Sequence, residues 1–465
     1  MDNTSSGFRW ERDFDGTVLV PEKALWGAQT QRAVAAFTIS GLRLPPLYIH
    51  ALGSLKRAAA YVNADLGRLD AGTARLIARA AGEVADGLLD EHFPVDVFQT
   101  GSGTNTNMNA NEVIANRANQ LFGAPLGARA PVHPNDHVNL GQSSNDVTPT
   151  IVHLTAQWAI THRLIPAFAR LAAALRRLST ATDGIVKTGR THLQDAVPIR
   201  LGQEFAGHAG QIERDADRFR TVLSGLAEVA LGGTAVGTGV NTHPAFAGGV
   251  LARLADEFEV ELRETDNHFQ AQNNLDTVVF TSGALRTAAA SLFKIADDIR
   301  WMSSGPRAGL AEIEVPTLSM ASSMMPGKTN PIIAEAVVQA AAKVTGNDAT
   351  IALAGGRGNF EITLMTPVVA FTLLESIDLL AGAAATFTDH CVAGIRATPA
   401  GPAAVERTLM MATALSPRIG YDRTAAIADE ARRTGRTIRE VARQSTDLTE
   451  KELSVLLDPA RMIGP

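Results

Sequence analysis

Apolar residues recur at helical spacing over most of the chain. From about Leu47 to Phe93, HALGSLKRAAAYVN and TARLIARAAGEVADGLL predict two helices, joined by the turn NADLGRLDAG. Longer patterns follow at 150–180 (broken only by Pro166), 201–229, 275–302, 331–354 and 361–395, where Pro367 comes early. Each exceeds the roughly 8–20 residues of an ordinary globular helix. Residues 1–45, with breakers at Pro21, Pro45 and Pro46, predict irregular or weakly stranded chain. After Ala397-Thr398-Pro399 the pattern turns charged and amphipathic, as a small separate helical domain would.

The polar faces of the long helices are thin. In LRTAAASLFKIADDIRWM most non-apolar positions are Ala, Ser or Thr. A helix apolar nearly all round belongs in a core, and long helices of this kind favour an extended bundle. A single large bundle and a bundle shared between subunits both fit this pattern.

Composition sharpens the picture. The 465 residues are 45% apolar, only 5% aromatic and only 19% charged, the last below the usual ~25%. So few charges leave little solvating surface, which favours hidden helical faces. The net charge is 42 − 48 = −6, and no basic run is present, which argues against nucleic-acid and anionic-membrane partners. A lone Cys391 rules out a disulfide framework within the chain and any iron–sulfur cluster needing several thiolates. MDNTSSGFRWERDFDG has no apolar signal core, so a cytoplasmic protein is expected. The longest uncharged stretch, Val229 to Ala252, is interrupted by Gly, Thr, Asn, His and Pro and does not read as a membrane span.

Candidate chemistry lies in five polar segments that punctuate the helices: TGSGTNTNMNANE (100–112), HPNDHVNLGQSSND (133–146), GRTHLQD (189–195), LGGTAVGTGVNTHP (231–244) and SSMMPGKTNP (322–331). They read as loops offering neutral donors, backbone N–H groups and one Lys, which suits a small carboxylate anion. Three other motifs fail on inspection. Gly327-Lys328-Thr329 lacks the glycine that a P-loop needs at 322, where Ser stands. Gly237-Thr238-Gly239 lacks the third glycine of a dinucleotide fingerprint, since 242 is Thr. His133 and His137 have zinc-helix spacing, but Pro134 and the absence of Glu at 134 and 135 speak against it, so no metal is expected.

The segment Ser322 to Pro331 resembles the signature loop of the fumarase/aspartase superfamily. The likeness spans nearly the whole chain: LWGAQTQR, GSGTNTNMN, PVHPNDHVN, QSSND, GRTHLQDA, GGTAVGTGVNTHP, GNFE, HCVAGI and IGYD. It is similar above all to class II fumarases. The resemblance implies a mostly α, three-domain subunit: 1–145, a central long-helix bundle at 146–396, and a small helical domain at 397–465. It implies a homotetramer around a helical core, with active sites shared between subunits. It implies no cofactor, and a small dicarboxylate substrate (fumarate or malate) that gains or loses water by way of an aci-carboxylate.

Residue roles follow from the same resemblance. Ser322 matches the general base, and a serine in that role needs its alkoxide stabilised by N–H groups and by Lys328. Lys328 and Asn330 match ligands of the carboxylate whose charge grows. Thr104, Ser143, Ser144, Asn145 and Thr191, with Ser102, match the surrounding hydrogen-bonding shell. For Ser102 and Ser143, helix capping is an equally good reading. His192, paired with Glu335, matches the group that activates water. His133, Asn135 and Asp136 match a second anion site near the entrance, or else form a self-capped turn.

Some positions depart from the pattern. Leu140-Gly141 stands where class II fumarases usually carry Lys-Ser, Thr329 where Val is usual, and Pro316 to Ala321 where PENEPG is usual. NPIIAEAVVQ is nearer to aspartases. The alternative activity is therefore an aspartate ammonia-lyase or another fumarate-releasing C–N lyase. A structural protein that kept the fold without the chemistry is a third reading. The joint presence of Ser322, Lys328, Asn330, His192 and Glu335 argues against it.

Overall fold

The computed structural model describes residues 7–318 and 322–464. It is mostly helical, with seventeen α-helices and five two-stranded sheets among the described residues. They fall into two compact units. One comprises the residues up to Ile165 with Arg218–Arg286 and Lys343–Leu379; the other is Pro166–Asp217, Thr287–Ala342 and the chain from Leu380 onward.

The first unit opens on a hairpin, Phe8–Asp13 with Gly16–Pro21, and a helix, Ala28–Ala36. The weakly stranded expectation for 1–45 therefore holds for the hairpin and misses the helix. That helix has no capping side chain of its own. Its free N–H groups are instead met by the Glu112 carboxylate, which accepts from Gly27, Gln29 and Thr30 at 2.9, 3.0 and 3.0 Å. LWGAQTQR is thus a helix start built for a distant acid. The predicted helix pair appears at Pro46–Asp65 and Ala71–Ala85, and Asp70 caps the second by accepting from Gly72 and Thr73.

In the second unit, Val186–Thr191 and Gln194–Arg200 form a hairpin. The residues after 397 build their own apolar core from Met411, Leu415, Ile427, Ile438, Val441, Leu453 and Leu457. Thr437 with Glu440 and Thr449 with Glu452 form capping boxes on two of its helices. Cys391 is buried, which pushes its thiol up to about 12 and leaves it unreactive.

The long helices are Leu201–Leu226, Asp276–Met302, Ile332–Gly355 and Thr366–His390, and each belongs partly to one unit and partly to the other. Large apolar side chains remain exposed on them, among them Phe280, Phe293, Trp301 and Leu353. The segment Thr366–Gly394 is long and apolar enough to cross a membrane. Val369, Leu373, Ile377, Leu380 and Phe387 from it are buried core residues, as in a packed helix.

Candidate active site

The segment 100–112 is a loop only as far as Gly103; Thr104 begins a 19-residue helix, Thr104–Phe122. Its asparagines do not break it because their amides find partners elsewhere. Asn109 donates to the His92 carbonyl, Asn116 to Leu25, and Asn119 both donates to and accepts from Val132. A second helix, Ser144–Ala159, begins beside the first. Thr104 and Ser144 share a hydroxyl hydrogen bond of 2.8 Å, and Ser102 joins Thr104 at 2.8 Å. Gly103 lies at φ +77°, and a Cβ there would meet Thr148 at 2.8 Å, so the close approach of the two helix starts needs glycine. Two positive helix ends and a chain of hydroxyls thus converge, which is chemistry for an anion.

Ser143 serves as a cap, its Oγ accepting from Asn145 N at 3.2 Å while Asp146 accepts from Ser143 N at 2.9 Å. The other oxygen of fully buried Asp146 accepts from Gly232 and Thr234 at 3.1 and 2.9 Å. Burial pushes this carboxyl up, against those three amides. Asn145 donates its amide to the Ala235 carbonyl at 2.7 Å. Asp146 and Asn145 therefore tie the glycine-rich segment 231–244 to this place. Gly141, at φ +72°, suits the left-handed turn just before it.

His133 caps the turn Pro134–Val138: its Nδ1 accepts from Asn135 and Asp136, both at 3.2 Å. Asp136 Oδ2 lies 3.3 Å from the same nitrogen. Burial lowers the His133 pKa, and Arg129 and His137 add to this against Asp136. Neutral His133 with an accepting Nδ1 fits both backbone contacts. Asn135 and Asp136 are exposed.

In the second unit, His192 and Leu193 form the two-residue tip of the hairpin, at φ +55° and +58°. Such a turn usually takes Asn-Gly, so neither residue is there for the turn's sake. At Gly189 the strand bulges, and a Cβ would come within 2.7 Å of the Val197 carbonyl. The hairpin base is fixed by a buried ion cluster. Lys187 binds Glu204 at 2.7 Å and Glu312 at 2.6 Å, and Arg190 binds Glu312 at 2.7 Å. Thr191 and His192 are exposed at the end of this anchored arm.

In the signature segment, Ser322 Oγ accepts from the N–H groups of Met325 at 2.9 Å and Met324 at 3.4 Å. Lys328 is exposed, and Asn330 precedes the helix Ile332–Gly355, whose first turn carries Glu335. Ser319, Met320 and Ala321, part of the departure before the signature, lie outside the described residues. Among the described residues the side chains of His192 and Glu335 bond neither each other nor any other described group.

The two units thus hold different parts of the predicted set. Ser102, Thr104, Ser143, Ser144 and Asn145 come together in the first. Thr191, His192, Ser322, Lys328, Asn330 and Glu335 lie in the second. Sequence reasoning missed Asp146, and also Lys56, Asn139 and Gln142, which lie behind Ser143. A lysine on the apolar face shared by Leu52, Leu55, Ala59 and Val62 was the available signal.

A family model described as "Lyase" matches residues 16–346, and one for the "Fumarase C C-terminus" matches 411–464. A class II fumarate hydratase of Nitrosomonas europaea is 50% identical over 98% of this chain and 99% of its own. A class II fumarase structure from Schistosoma mansoni is 33% identical, with a TM-score of 0.95 over 98% of this chain and 99% of that one. A fumarate lyase:delta crystallin from Brucella melitensis, solved bound to cobalt, is 42% identical, with a TM-score of 0.93 over 98% and 100%. Fold and signature loop define a lyase of the fumarase/aspartase type. Within that class the chain belongs to the class II fumarate hydratase family.

Proposed function

We propose that the chain is a fumarate hydratase, adding water anti across fumarate to give (S)-malate, and the reverse. In the elimination direction, from malate to fumarate, Ser322 takes the proton from the carbon beside a carboxylate. That proton is weakly acidic, so the charge that grows on the aci-carboxylate has to be met where it develops. Lys328 and Asn330 meet it. Thr104, Ser143, Ser144, Asn145 and Thr191, with Ser102, hold the dicarboxylate. His192, oriented by Glu335, delivers the proton to the leaving hydroxyl, or activates water in the other direction.

The observation that carries this reading is the Ser322 oxygen, which accepts two backbone N–H groups inside the signature segment. Those donors lower the cost of an alkoxide, without which serine is a poor base. His192 and Glu335, whose side chains find no partner among the described residues, support an active site completed by other chains. The apolar surface left on the long helices, Phe280, Phe293 and Trp301 among it, supports a homotetramer around a helical core. We place the domain divisions at 1–145, 146–396 and 397–465, a second anion site at His133, Asn135 and Asp136, and the activity in the cytoplasm.

The purified chain, without added metal or cofactor, should consume fumarate and form (S)-malate, and in deuterium oxide it should place a single deuterium with anti geometry. Activity that appears only with iron, or a monomer that is fully active in the centrifuge, would contradict the respective parts of this reading.

A further inference from the structure

Lys56 lies on the helix Pro46–Asp65 and is 0% exposed. Its ammonium donates to Asn139 Oδ1 at 3.1 Å and to Gln142 Oε1 at 2.9 Å. Asn139 Oδ1 also accepts from Asn107 and Asn111, both at 3.1 Å, and both of these stand on the helix that Thr104 begins. Asn139 donates onward to the Gln142 carbonyl, and Gln142 donates to the carbonyls of Val138 and Leu140. One ammonium therefore grips both ends of the turn 139–142, and through Asn139 it also joins the neighbouring helix.

This arrangement is costly if it serves packing alone. A buried lysine held by neutral amides pays a desolvation penalty that Met or Leu would not. Burial pushes Lys56 down to about 7, and the charge of Asp146 only partly opposes this. The turn it grips runs directly into Ser143, Ser144 and Asn145, and the helix it grips starts at Thr104.

We propose that Lys56 is a positioning residue for the dicarboxylate subsite: it fixes Ser143–Asn145 against Thr104 by clamping Asn139 and Gln142. This rests on the reading of Thr104 and 143–145 as substrate ligands. The subsite is occupied by a carboxylate that fumarate and malate both carry, so Lys56 acts on binding of both and not on the proton-transfer step.

Lys56→Met and Lys56→Gln test this by steady-state kinetics in both directions on the full-length protein. The Met variant should raise KM for L-malate and for fumarate by about tenfold, with kcat within about threefold of the parent, the signature of lost uniform binding. The Gln variant, which keeps a donor, should recover part of the loss. If the Met variant does not fold, Gln142→Met removes one of the two acceptors and should raise both KM values in the same direction. Unchanged KM in folded variants, or a fall in kcat at constant KM, would overturn the proposal. The parent's own turnover of L-malate reports separately on the proposed function. If the parent releases fumarate from L-aspartate instead, the same KM comparison with that substrate decides the role of Lys56.

Discussion

Thr104 and Ser144 are 40 residues apart in sequence and share a 2.8 Å hydrogen bond between hydroxyls at the first residues of two helices. Each helix start carries unpaired N–H groups and the positive end of a dipole. Bringing two such starts together concentrates positive potential without a buried guanidinium, and the hydroxyls supply donors whose direction can adjust.

Removing that bond should weaken substrate binding. Thr104→Val keeps the shape, removes the hydroxyl that Ser102 and Ser144 share, and leaves the nearly buried Ser144 Oγ only its long bond to Asn145 Oδ1 at 3.4 Å. At about 1–3 kcal/mol for such a loss, KM for fumarate should rise by about fivefold to 150-fold. Steady-state kinetics checks this, and an unchanged KM would remove Thr104 from the subsite.

Ser322→Ala should lower kcat by on the order of 100-fold or more, with the helical circular dichroism retained. The two amides of Met324 and Met325 would then face solvent in place of the serine oxygen. Turnover near the parent's level would assign the base elsewhere.

His192 offers a cleaner test of water activation than an alanine would. Asn tolerates the left-handed conformation that His192 adopts, so His192→Asn should keep the hairpin. Loss of the imidazole should lower kcat by about 100-fold while the thermal midpoint holds. A parallel loss of both would mean that His192 is needed for structure.

Much of this fold was legible because the long helices repeat apolar residues at a single period. The C-terminal helices were legible too, through their amphipathic charge pattern. The helix Thr104–Phe122 was not legible. Its asparagines suggest a loop, and the groups that satisfy them, such as Leu25 and Val132, are remote or irregular in sequence. The hairpin tip at His192-Leu193 carries no turn signal, because its residues are not chosen for the turn. The candidate site residues were proposed through their motifs. What the motifs could not supply was the division between capping and binding: Ser143 and His133 visibly cap, and only the folded backbone displays that. Lys56 escaped notice because a lysine between two apolar turns is usually read as surface.

The first unit should also lose stability in acid through Asp96. Its buried carboxylate accepts from Ser40 N, Gly41 N, Phe98 N and Ser40 Oγ, at 2.7, 2.7, 2.8 and 2.8 Å. Burial alone would raise its pKa, but these bonds outweigh it and hold the group below 3.8. A depressed folded value means stability that is present above the unfolded pKa and lost as pH falls through the folded one. Asp96→Asn should therefore lower the thermal midpoint at neutral pH, and the gap to the parent should close below about pH 4. A gap independent of pH would contradict this.

The most direct test compares L-malate with L-aspartate as sources of fumarate, on the same preparation and at matched concentrations. Fumarate formed rapidly from L-malate, with none above background from L-aspartate, is the predicted result. Release of fumarate from L-aspartate but not from L-malate would contradict the hydratase reading and make the chain an ammonia-lyase.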